Sequence, residues 1–218
     1  QVGVRAHEEL VPAVERVWQD ELATVRRDLH AWLEYLARDG EEWLPVYFEL
    51  GFGAVPGERD EHSIRGDVVI DGRFRLRGAI DLIEEHAQTK TLRITDHKTG
   101  RKPDRIEKVL IGGGAVLQPI LYSMAGEAAL ERDVSHGRVF YCTSTGSFFS
   151  HPILLDDRWR AAGLEVLEVV DRAIETGFLA AAPTEEACGR CDFRPVCGSD
   201  VFRRVARKPQ EAVADLVA

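Results

Sequence analysis

The sequence predicts a mixed α/β fold in which a central mixed β-sheet is flanked by helices, followed by a C-terminal Cys-rich segment. Three observations predict it. The elements read in the order helix, three strands, helix, two strands, helix. Apolar residues recur at helical spacing in some stretches and lie in short extended runs in others. The 218 residues, 44% hydrophobic and 30% charged, have the composition of a soluble globular protein and suffice for one large domain or a domain with an appendage.

The elements follow in order. Leu10, Val14, Val17, Trp18, Leu22, Val25, Leu29, Leu33 and Leu36 give residues 4–38 a helical stripe, which Pro12 kinks or divides into two helices and Gly40 ends. Residues 46–52 read as a strand, and residues 57–66 as a polar loop. Residues 73–85 and 91–98 are two strands joined by the polar turn Ala87-Gln88-Thr89-Lys90. The run Gly112-Gly113-Gly114 precedes a helix over 115–131. Residues 138–143 and 147–154 form a hairpin turning at Thr145-Gly146, and a last long helix covers 156–176. The segment 188–197 is turn-rich and expected to be irregular.

Charge and composition exclude several classes. A net charge of −9 argues against broad, sequence-blind nucleic-acid binding, which draws on an excess of basic residues. An enzyme with a carboxylate metal site can still be acidic overall, with its nucleic-acid contact local or supplied by a partner. No apolar run approaches the roughly 18 residues of a membrane span, and the N-terminus lacks a signal-peptide pattern. Gln1 enters a helical pattern without an initiator Met, so the chain is read as a fragment of a longer protein; a trimmed tag on a complete protein is the alternative. Three of four cysteines crowd near the C-terminus, which points to a metal or cluster site in a reducing, cytoplasmic compartment rather than to a disulfide framework.

The segment GAIDLIEEHAQTKTLRITDHKTG carries the chemistry. An antiparallel pairing about the turn 87–90 sets His86 opposite Thr91 and, by the same register, Asp81 opposite Asp96. Directly opposed residues share a face with Cβ atoms about 4.5–5.5 Å apart. Lys98, two residues beyond Asp96, falls on that face by strand alternation. Two carboxylates and an ammonium then converge. Hard divalent cations such as Mg²⁺ or Mn²⁺ take carboxylate oxygens, polarise a phosphoryl group and lower the pKa of bound water. An adjacent lysine can orient that water, act on its proton or stabilise the developing charge. An isolated D-x-K by itself reads as two solvent-facing aspartates with a surface lysine.

His7, Leu10 and Val14 follow i, i+3, i+7, so His7 is expected to point inward, as a core histidine or as a ligand that would tilt metal preference toward Mn²⁺. Gln118 and Tyr122 share a helix face at i, i+4, where an amide and a ring can grip a phosphate and stack a base, or simply pack. Arg101, Lys102, Arg105 and Lys108 form a local basic stretch, either a backbone-holding surface or a solvated face. Glu49, in the preceding strand, could reach the metal through water. Cys188-x-x-Cys191-x5-Cys197 offers three thiolates within ten residues, consistent with a cluster or zinc. Cys142 reads as a buried structural thiol or a substitute ligand.

These residues resemble the RecB-like branch of the PD-(D/E)XK nucleases, which includes RecB, AddA and AddB nuclease domains and iron–sulfur CRISPR-associated exonucleases. Gly3-x-x-x-His7 is similar to the family's N-terminal helix motif, whose His is a metal ligand. Gly78-x-Ile80-Asp81 is similar to its first acidic motif, Asp96-His97-Lys98-Thr99-Gly100 to its D-x-K catalytic motif, and Gln118-x-x-x-Tyr122 to its Q-x-x-x-Y motif, which contacts DNA near the active site. The four motifs stand in family order and the likeness spans about residues 3–200.

The resemblance implies a restriction-endonuclease-like core over residues 1–183, a Cys-rich metal or cluster segment over 184–203 and a tail over 204–218. It implies catalytic Asp81, Asp96 and Lys98, metal ligands His7, Asp81 and Asp96, and DNA contacts from Gln118 and Tyr122; Arg101 and Lys102 of the basic stretch are added as candidate DNA contacts. It further implies a [4Fe–4S] cluster in the longer parent, held by Cys188, Cys191, Cys197 and an upstream Cys absent here, with Zn²⁺ as the alternative. The expected function is Mg²⁺- or Mn²⁺-dependent hydrolysis of DNA from single-stranded ends, in a repair or recombination assembly with a helicase partner. A catalytically silent DNA- or helicase-binding module is the alternative.

Overall fold

The structure is a computed structural model, and it describes residues 2–39, 42–54, 57, 59–103, 117–177, 183, 185–189 and 191–207. The chain divides into two compact units, residues 1–109 with 118–159, and residues 110–117 with 160–218.

The first unit opens with helices α1 (Val2–Leu10) and α2 (Glu15–Asp39), separated at Pro12 as the sequence allows. Strands β1 (Trp43–Phe52), β2 (Val68–Ile70), β3 (Phe74–Leu76), β4 (Gly78–His86) and β5 (Leu92–Lys98) follow, then α3 (Gln118–Leu130), β6 (Val134–Tyr141) and β7 (Ser150–Leu154). A five-stranded mixed sheet has the order β1-β4-β5-β6-β7, with β5 and β6 parallel and the other neighbours antiparallel. β2 and β3 form a separate hairpin. This is the expected α/β architecture, a mixed central sheet flanked by helices.

Alternation along β5 sorts the two faces. Ile94, Asp96 and Lys98 look toward α3, whose Gly126 lies so near Ile94 that a Cβ there would stand 2.9 Å from Ile94 Cδ1. Arg93, Thr95 and His97 look toward α2, where Trp32 meets the His97 ring and Tyr35 stacks on Phe140 at 4.6 Å. A bare α-carbon is also required at Gly137 in β6, because a Cβ would overlap the Pro119 carbonyl oxygen at the start of α3. The core between sheet and α3 is apolar, with Leu50, Ile80, Ile83, Leu92 and Ile94 fully buried.

The α2 face instead buries charge. Arg93 and Arg138, 4% and 2% exposed, both bind Glu84, which is 1% exposed. Thr95 Oγ1 donates to Glu84 and accepts from Arg138 Nε, while Asp39 of α2 receives both guanidinium groups. Two cations and two anions thus balance one another, and the network ties three strands to a helix.

Several expectations change. The strand expected over 73–85 is interrupted at Arg77, and its first part belongs to the β2–β3 hairpin, which turns through Asp71 and Gly72 with φ of +52° and +65°. An Asp-Gly pair accepts such a turn readily. The helical stripe does not face inward at its start: α1 has no buried residue, and Leu10 and Val14 are exposed. The outer edge of β1 is covered by residues 60–64, through Asp60 Oδ2 on the Phe48 amide, Ser63 Oγ on the Gly51 amide and backbone bonds at Ile64.

The second unit contains the greater part of α4 (Asp157–Glu175) and the short helices α5 (Glu185–Gly189), α6 (Arg194–Cys197) and α7 (Val201–Val205). The segment expected to be irregular therefore carries two short helical turns. α4 buries Gly163, Val166, Leu167 and Val169 on one stripe.

Candidate functional site

The β4–β5 ladder has the register expected from the four-residue turn, with Leu82 opposite Thr95 and Glu85 opposite Leu92. It stops at Leu82 and Thr95, one step short of the two aspartates. Beyond that point the His97 amide donates to Asp81 Oδ2 at 2.7 Å, so a side-chain carboxylate takes the place of a backbone carbonyl.

Regular alternation breaks here. Ile83 pairs with Ile94, which faces α3, yet Ile80, an odd three residues earlier, also reaches Gly126 of α3, 3.5 Å from where its Cβ would lie. Across from Asp81, between the pairs Phe48–Leu82 and Leu50–Ile80, stands Glu49 with φ +52°. A non-glycine residue in the left-handed region stores backbone strain. Glu49 itself approaches Arg59 at 3.4 Å.

Asp96 is 3% exposed and its Oδ2 lies 2.8 Å from Lys98 Nζ, an ion pair on one face of β5. Burial raises the Asp96 pKa above the ordinary carboxylate value, Lys98 opposes the rise, and the Asp81 charge adds to it. Despite the ion pair, Asp96 Oδ2 accepts no directed hydrogen bond. Asp81 is more accessible, its side chain 32% exposed. The donors in hand are carboxylate oxygens, which suit a hard divalent ion.

Lys98 also donates to Gln118 Oε1 at 2.8 Å, so the first residue of α3 touches the lysine directly. One turn on, Tyr122 meets Phe52 edge-to-face and covers Gly78 at the start of β4. The Q-x-x-x-Y face of α3 thereby spans both acidic strands. Sequence reasoning missed Tyr141. It stands opposite Lys98 in the β5–β6 register, and burial raises its pKa, with Lys98 lowering and Asp96 raising it further. Its signal was the F-Y pair in a strand placed beside the D-x-K strand, which nothing local distinguishes from core.

Other expected residues stand apart. His7 Nε2 pairs with Glu15 Oε2 at 2.8 Å, and its ring meets Trp18 edge-on, in a cleft between α1 and α2 lined also by Gln19, Leu22 and Arg26. Among the described residues no three His, Cys, Asp or Glu side chains come together as a preformed metal site. Cys188 in α5, Cys191, and Cys197 in α6 are free thiols that do not converge either. Cys142 lies just past β6, its Sγ 3.6 Å from the Lys98 carbonyl oxygen. Lys102 sits over the Phe149 ring at 4.5 Å, and Arg101 is exposed. Arg105 and Lys108 lie outside the described residues.

No helix among the described residues is long and apolar enough to cross a membrane. No curated protein matches the chain. The sequence model of the PD-(D/E)XK nuclease superfamily matches residues 2–198. A match over that span, carried through the two strands that bear Asp81, Asp96 and Lys98, shows that the chain belongs to the PD-(D/E)XK nuclease superfamily.

Proposed function

We propose that this protein is a divalent-metal-dependent DNA nuclease of the RecB-like branch, with Asp81 and Asp96 as its metal-holding carboxylates and Lys98 as its catalytic amine. The observation that carries the reading is the buried Asp96 carboxylate, whose Oδ2 lies 2.8 Å from the Lys98 ammonium and which feels the charge of a second carboxylate, Asp81. A bound Mg²⁺ or Mn²⁺ would supply Lewis-acid polarisation of the phosphoryl group and a more acidic water. Asp81 is held in orientation by the His97 amide, and Asp96 by burial beside Lys98. Lys98 presents its ammonium to the developing negative charge or to the attacking water. Tyr122, Arg101 and Lys102 offer a ring and charges for the strand.

The branch resemblance extends the proposal to exonucleolytic cleavage from single-stranded ends, within a repair or recombination assembly that includes a helicase, in the cytoplasm. The four free thiols suit a reducing compartment. Cys188, Cys191 and Cys197 keep the iron–sulfur or zinc role that the resemblance implies, and no step of the reaction is given to it. The net charge of −9 favours a second reading, a catalytically silent module that binds DNA or a helicase.

Labelled single- and double-stranded DNA incubated with Mg²⁺, Mn²⁺ or EDTA separates the two. The nuclease reading expects cation-dependent cleavage, reduced at least about a thousandfold in Asp96→Ala, while binding of the DNA persists. Equal product with and without EDTA, or none from the wild type in either cation, would sink it.

A further inference from the structure

We infer that Gln118 is a positioning residue for Lys98: its side-chain oxygen fixes the ammonium beside Asp96, and it acts on cleavage through the lysine rather than by holding the DNA strand. The inference rests on the nuclease reading above and assigns Gln118 a part that the family resemblance gives instead to DNA contact.

A lysine ammonium has three donors on a flexible four-carbon stem. In Lys98 one side of that group meets Asp96 Oδ2 at 2.8 Å and another meets Gln118 Oε1 at 2.8 Å. Two anchors from different elements hold the ammonium between β5 and the first turn of α3. The two anchors are not equivalent. A cation on Asp96 competes with Lys98 for the same oxygens, whereas the neutral amide of Gln118 draws no such ion strongly. Gln118 is therefore the anchor that persists when the site is loaded.

The amide can do this because its backbone does not move easily. Pro119, next in the chain, is fully buried. Its carbonyl oxygen accepts from Ser123 Oγ at 2.6 Å and rests against the bare α-carbon of Gly137. The first turn of α3 is thus seated on β6, the strand parallel to β5, and the distance from Gln118 to Lys98 is set by that seating. The amide oxygen, once engaged by Lys98, is no longer available to a base or sugar donor. Gln118 is itself exposed, so replacing it removes little packing.

The test uses Gln118→Leu, which deletes the acceptor, and Gln118→Glu, which retains one. Steady-state cleavage of a labelled single-stranded oligonucleotide in saturating Mn²⁺ is read as kcat and KM separately. Positioning expects Gln118→Leu to lower kcat by roughly 10- to 100-fold with KM nearly unchanged, and Gln118→Glu to recover most of the loss. A DNA contact expects the reverse, a raised KM with kcat intact, and that result overturns the inference. A second readout needs no substrate or metal. With ¹⁵N-labelled lysine, the chain has five ammonium groups, and the Lys98 signal is identified by its loss in Lys98→Ala. The inference expects that signal to be sharp in the wild type and broadened or lost in Gln118→Leu; an unchanged signal overturns it. Should Lys98→Ala cleave like the wild type, the nuclease reading fails by itself, while the lysine spectrum still decides whether Gln118 holds the ammonium.

Discussion

The two faces of the β4–β5 pair use the same residue types toward opposite ends. On the α2 face, Glu84, Arg93 and Arg138 are almost wholly buried, and their charges are matched by one another and by Asp39. On the α3 face, Asp96 is as deeply buried, and among the described residues its one ion-pair partner is Lys98. Burial alone therefore does not distinguish a scaffold charge from a reactive one. The distinction lies in how charge is matched: two guanidinium groups answer two carboxylates on the α2 face and stiffen the sheet, whereas Asp96 is set beside a lysine and within reach of the Asp81 charge.

The comparison can be broken first on the scaffold side. Glu84→Ala leaves two guanidinium groups facing each other with Asp39 as their remaining carboxylate, and is expected to cost about 3–5 kcal/mol in urea unfolding. A loss near zero would mean that the charges are not matched in this way. The next effect concerns pH. Burial, with Arg93 and Arg138 nearby, lowers the His136 pKa from 6.5 to about 4. As pH falls below 6.5 the unfolded chain takes up the proton while the folded one refuses it, so stability drops until about pH 4. That term is worth about 3 kcal/mol across the window. His136→Leu should flatten this part of the stability–pH curve; an unchanged slope would show that His136 is not the group responsible.

The smallest effect lies on the α3 face. Because the folded-state pKa of Asp96 is raised, its ionised form costs stability at neutral pH, and the cost disappears in acid below the unfolded value of 3.8. Asp96→Asn should then melt at a higher temperature than the wild type at pH 7 and at the same temperature near pH 3, while its cleavage is lost. A lower melting temperature at pH 7 would place Asp96 with the scaffold charges.

Much of this was legible in the sequence, for reasons that differ by residue. Strand alternation alone puts Lys98 on the same side as Asp96, and helical spacing puts Gln118 and Tyr122 on one face of α3. The polar turn 87–90 sets the strand register. The departure at Asp81 was not legible, because the left-handed residue across from it is Glu49, where a glycine or asparagine would have announced the kink. Glu84 and Arg93 read as ordinary strand charges, since only tertiary pairing with Arg138 and Asp39 shows that they are buried. The start of the helical stripe failed for the same kind of reason. Periodicity identifies an apolar side but not whether it is covered, and around His7 it is not.

Gly137 has no functional group, yet it governs how close the first turn of α3 can come to the sheet. Any side chain there would raise that turn and carry the Gln118 amide off the lysine, with every reactive atom of the site still present. In a saturation scan such a position would score like a catalytic residue, and a ranking built on chemistry alone would pass over it. On the proposed reading, clearance at Gly137 would govern activity without supplying a reagent of its own.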